Sequence, residues 1–184
     1  MKKHSEEESG WPVIPAAAFS GDGFIIDQQA FAGVRFGRRY SDYNGCGWMA
    51  AYNLLHALHL PDDWKSVVCG MRHHTLLFGE LGTNPFGLRR FLKKRGIKVR
   101  LSFRPRTAAR LADEDSDGGI VMYWHGHGAH FVAFARAGAG LRFFNARRRD
   151  PAHYGRMADF IPARSKFPLV VMLTVVRRPD QAAK

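Results

Sequence analysis

The sequence holds only two cysteines, Cys46 and Cys69, in 184 residues. A disulfide framework is therefore excluded, and free thiols in a reducing, cytoplasmic setting are expected. Long apolar runs are also missing. The longest is Phe167 to Val176, ten residues that include Pro168 and Thr174. A spanning helix needs about 20 apolar residues, so no membrane span is expected and a buried strand fits better. Glu6, Glu7 and Glu8 stand where a secretory signal would be apolar. Acidic residues are scarce: 16 Asp plus Glu against 28 Lys plus Arg, a formal net charge of +12. With 46% hydrophobic residues this charge does not imply disorder. It implies a basic surface that attracts something acidic. No repeat is visible, and composition excludes collagen and coiled coil.

What is present divides the chain. Residues 1–22 read as a loosely ordered segment, 23–178 as one domain and 179–184 as a tail. Phe24, Ile25 and Ile26 suit an entry strand, and 33–45 reads as loop. From Trp48, apolar residues at Ala51, Leu54, Leu55 and Leu58 share one helical face, and Pro61 ends the pattern. Asp62 is the expected N-cap of a second helix carrying Trp64, Val67, Val68 and Met71, with Cys69 in the core. Asn84 and Pro85 begin a third, closed by Gly96. Beyond Gly96 the period changes. Ile97, Val99, Leu101 and Phe103 alternate with polar residues as in a half-buried strand. A short helix is expected at 105–112, strands at 120–124, 131–135, 141–144 and 169–176, and a hairpin turn at 138–140. Helices about 46–96 followed by strands about 97–176 imply an α+β fold with a mainly antiparallel sheet.

Three residues carry a candidate chemistry. Cys46, between Gly45 and Gly47, lies where loop becomes helix. The positive end of the helix dipole favours thiolate, lowering the pKa from about 8.5. His130 opens an apolar strand after a glycine-rich loop and suits a general base. Asn145 ends the next strand, where its side-chain carbonyl can hold an imidazole in one tautomer. Cys, His and Asn on helix start, strand start and paired strand end form a nucleophilic triad pattern.

In that order and spacing the chain resembles the papain-like cysteine peptidases, closest to stand-alone relatives of the bacteriocin-processing, double-glycine-leader peptidases. The resemblance spans about 28–176. It rests on Cys46-Gly47 with Ala50 to Leu55, on Gly82-Thr83-Asn84-Pro85 before Leu88, on His130-Phe131-Val132, and on Asn145-Ala146 in place of that branch's Asp-Pro. It implies a helical lobe of three helices packed on a sheet lobe, and a thiol hydrolase that cleaves a peptide or amide bond through a thioester. An acyltransferase using a carrier or peptide donor is the alternative. No cofactor is implied. The family's oxyanion-hole Gln, six residues before the cysteine, is here Tyr40. Asn44, Gln28 and Gln29 are other candidate donors.

Two further readings compete. His125, His127 and His130 lie close together, but no zinc-ligand spacing accompanies them, and no metal is expected. From Arg89 to Arg110 there are ten basic residues and no acidic one: Arg89, Arg90, Lys93, Lys94, Arg95, Lys98, Arg100, Arg104, Arg106 and Arg110. Lys93, Lys94, Arg95, Lys98 and Arg100 form the heart of this stripe. It suits a non-catalytic module for an acidic partner. No named nucleic-acid module is visible, so a nucleic acid is not the expected partner.

Overall fold

The computed structural model describes residues 10–60, 62–126, 128–144, 153–166 and 170–176. A two-residue hairpin comes first, β1 (Arg35–Phe36) and β2 (Arg39–Tyr40). The helices α1 (Ser41–Asn44), α2 (Cys46–Ala57), α3 (Trp64–Met71) and α4 (Pro85–Lys94) follow. Then come β3 (Val99–Ser102), α5 (Pro105–Asp115), β4 (Ser116–Trp124), β5 (Ala129–Ala137), β6 (Gly140–Phe144), β7 (His153–Gly155), α6 (Met157–Arg164) and β8 (Val170–Val176). The main sheet is antiparallel throughout, in the order β3-β8-β4-β5-β6-β7. This is the α+β arrangement expected, a helical lobe followed by an antiparallel sheet.

Strand alternation sorts the core into two layers. On one face Phe131, Ala133, Ala135, Ile120, Leu173 and Val175 pack with α2, α3 and α4. On the other, Val121, Tyr123, Val132, Phe134, Val170 and Met172 pack with Ala108 and Ala112 of α5 and Met157 and Ile161 of α6. The second helical layer exceeds the two-lobe expectation, which had no α6. That helix carries Pro162 inside it and too little one-sided apolar pattern to be read from sequence.

Most helix boundaries follow their local signals. Asn84 accepts a hydrogen bond from the Phe86 amide (2.9 Å), Pro85 stands at the first turn, and Gly96 has φ +77°. The α3 cap differs. The N-cap is Asp63, while the Asp62 carboxylate accepts from Arg95 Nη2 at 2.6 Å and Nε at 2.9 Å. Cys69 is half-buried, not a full core residue. The expected strand at Phe24–Ile26 is reduced to a single bridge, Ile25 to Phe19. Buried Asn53 holds that segment instead. Its Oδ1 accepts from the Ile25 amide (2.9 Å) and its Nδ2 donates to the Ile25 carbonyl (3.0 Å). Residues 10–22, expected to be loose, bury Ala18 and set Trp11 edge-on to Trp64 at 5.2 Å.

One cation fastens this entry segment to the sheet. Arg142 of β6 lies 4.9 Å from the ring centres of both Phe24 and Phe144 and 2.7 Å from the Asp22 carboxylate. Hydrogen bonds from Arg142 and then Ser20 hold the Asp22 carboxyl below the usual carboxylate range. A depressed carboxyl contributes at neutral pH and loses that contribution as acid protonates it through its folded pKa. Arg142→Ala should cost about 1–2 kcal/mol, most of it from the two cation–π contacts, because an exposed ion pair gives at most about 1 kcal/mol. Urea unfolding checks this, and Asp22→Asn should lose the smaller share.

Candidate functional site

Cys46 is the first residue of α2 and is 9% exposed. The chain reaches it through a single helical turn and a tight joint. Gly45 has φ −78° and ψ −7°, its amide donates to the Ser41 carbonyl (2.9 Å), and its carbonyl accepts from the Met49 amide (3.1 Å). Trp48 Nε1 donates to Ser41 Oγ at 3.0 Å across the same joint. A Cβ on Gly45 would lie 2.8 Å from both Ser41 Cβ and Trp48 Nε1. Only glycine lets that hydrogen bond close and set the angle at which α2 begins. The Asp42 carbonyl, one turn before Cys46, accepts from Gln28 Nε2 (2.9 Å) and Gln29 Nε2 (3.3 Å). Both glutamines, expected as candidate oxyanion donors, instead give an amide hydrogen to α1 and hold it by its backbone.

Asn44 is buried with both amide hydrogens engaged. Its Nδ2 donates to the Phe36 carbonyl (2.9 Å) and the Gly79 carbonyl (2.7 Å). It ties the β1–β2 hairpin to the loop before α4, so its donors are committed to the scaffold and not to an oxyanion. Tyr40 stands at the N-cap of α1, is 44% exposed, and has the Arg35 guanidinium 5.5 Å from its ring centre.

In the sequence Thr83 is one member of the Gly82-Thr83-Asn84-Pro85 motif, and nothing local to it marks its contact with the α2 start. The residue is 2% exposed and packs directly on the backbone of Gly47. Its Oγ1 is buried with no hydrogen-bond partner among the described residues, and the same holds for Asn44 Oδ1. The glycine after Cys46 was the available signal, because a bare Cα in a buried helix start marks a close neighbour.

His130 is the second residue of β5 and is 5% exposed. It pairs with Tyr123 of β4, and residues opposite each other share a face. The two rings meet edge-on at 5.9 Å, and His125 lies 6.2 Å from His130 in the same manner. That is the face of Val132 and Phe134, whereas α2 covers Phe131, Ala133 and Ala135. Leu54 Cδ1 lies 3.4 Å from the Cβ position of Gly118, the partner of Ala135. Cys46 begins α2 about 12 Å before Leu54, and α2 packs on β5. Asn145 and His127 lie outside the described residues. The last described residue of β6, Phe144, pairs with Ala133.

The basic stripe divides into exposed cations and one that is paired. Lys93, Lys94, Lys98 and Arg100 are exposed. Arg95 is not part of that surface, because its guanidinium binds Asp62 and lies 3.8 Å from the Phe91 ring centre. Among the described residues no group of three His, Cys, Asp or Glu side chains is placed to hold a metal. No helix among them is long and apolar enough to cross a membrane.

No protein-family model matches the chain, and no curated protein matches it. Eight solved chains do. One of these is the crystal structure of a double glycine motif protease from an AMS/PCAT transporter in complex with the leader peptide. It is 15% identical, with a TM-score of 0.48, over 71% of this chain and 84% of that one.

Proposed function

We propose that the protein is a papain-like thiol hydrolase that cleaves a peptide or amide bond through a Cys46 thioester. One observation carries the reading: Cys46 is the first residue of a buried helix, where the helix dipole favours thiolate. His130 takes the thiol proton. The thiolate attacks the carbonyl carbon, and the oxyanion is held by the Cys46 amide and the Tyr40 hydroxyl. Collapse expels the amine, which leaves with the proton from the imidazolium. Water, deprotonated by His130, then releases the acid and frees the thiol. Asn145 orients the ring. This mechanism requires the His130 ring to turn round the mouth of β5 toward α2.

Iodoacetamide labelling across pH tests the thiol. Cys46 should alkylate well below pH 8.5, the value of a free cysteine. Cys69, half-buried in α3, is the internal reference. Equal rates for the two thiols would remove the basis of the reading.

A further inference from the structure

The outer face of α4 serves no part of the chemistry above. Leu88, Phe91 and Leu92 bury the inner face. Phe86, Arg89, Arg90, Lys93 and Lys94 fall on the outer one, at the one-face spacing of a helix. These five line an open groove of about 380 Å³. At its head Phe86 is 60% exposed and Phe103 is 48% exposed, with ring centres 6.0 Å apart and planes inclined by 42°. Arg104 and Arg106, both exposed, follow Phe103.

None of the groove's four cations pairs with a carboxylate among the described residues, in contrast to Arg95 beside them. The Nε of Arg89 is buried with no hydrogen-bond partner among those residues. His74, whose Cβ lies 2.6 Å from the Cβ position of Gly87, registers the field. Burial first, then the charges of Lys94, Arg90 and His73, hold its imidazole below the ordinary value.

We propose that this face binds a single-stranded nucleic acid, its phosphates on Arg89, Arg90, Lys93 and Lys94 and its bases against Phe86 and Phe103. A cationic groove headed by exposed aromatic rings is the arrangement that holds single strands, because every base offers a π-face. A duplex keeps its bases stacked away from such rings. A purely acidic peptide such as polyglutamate would satisfy the cations and leave the two phenyl rings unused. The site is separate from Cys46 and stands or falls without it.

Fluorescence anisotropy of the full chain with a labelled oligothymidine of about twelve nucleotides tests the proposal. Three to four phosphate contacts predict an affinity loss of about 20–50-fold between 50 and 200 mM salt. Phe86→Ala should weaken binding about fivefold or more. Charge reversal at Arg90, Lys93 and Lys94 together should weaken it by more than about tenfold. Cys46→Ala should bind as the unaltered chain does. Absence of binding at 50 mM salt would overturn the proposal. So would unchanged affinity in both Phe86→Ala and Phe103→Ala, or competition by polyglutamate as effective, per charge, as by the oligonucleotide. The last result would assign the face to an acidic protein.

Discussion

His130→Ala should slow acylation of Cys46 by about 10²–10⁴-fold, the range for a lost general base. The measurement is single-turnover acylation by an activated ester, read as the mass gain of the intact protein. Cys46→Ala should lose the fast adduct and keep only slow background labelling such as that of Cys69. The pH dependence adds a readout that packing alone would not move. In the unaltered chain the acylation rate should level off below pH 8.5, where an assisted thiol is already ionised. In His130→Ala it should keep rising toward the pKa of an unassisted cysteine, about 8.5. His130 also packs edge-on against Tyr123, so loss of the ring disturbs the second core layer. His130→Gln keeps bulk in that position and should lose the rate just as fully. A wild-type rate and pH profile in both variants would leave His130 a core residue of the Tyr123 face.

The second large effect is on stability. Gly47→Ala should destabilise the protein by about 1–3 kcal/mol, the usual cost of overpacking. The added Cβ would collide with Thr83 Oγ1 and Cβ and lie 2.8 Å from its Cγ2. Thr83 has little room to retreat. It is 2% exposed, bridges Thr75, and precedes Asn84, whose amide donates to the His74 carbonyl at 2.8 Å. Better helix propensity offsets at most about 1 kcal/mol, and less at a helix start. The clash therefore wins. At about 2–4 °C per kcal/mol for a chain of this size, thermal unfolding should shift down by roughly 2–12 °C. Thr83→Ala added to Gly47→Ala should recover part of the loss, since two of the three colliding atoms disappear. A higher melting temperature for Gly47→Ala alone would show that Thr83 does not pack on the α2 start.

The parts legible in the sequence are those set by near neighbours. The faces of α2, α3 and α4, the Asn84 cap, the Gly96 stop and the hairpin at Gly138, with φ +56°, all depend on residues within a turn or two. So does the place of Cys46 at a helix start, and so do the antiparallel strands, whose alternation records one buried face at a time. The tertiary structure decided what depends on residues distant in the chain. Two-residue strands such as β1 and β2 carry no periodicity to read. Asn44 looked like a donor until the Phe36 and Gly79 carbonyls, eight and 35 positions away, took its amide hydrogens. Arg95 looked like a surface cation until Asp62, 33 positions earlier, bound it. The face on which His130 lies was fixed by its register with Tyr123, a pairing across a turn that alternation within β5 cannot specify. Local pattern shows which side chains must be buried or capped. Which partner meets each polar group depends on the packing of whole layers, and that contact sets its chemistry.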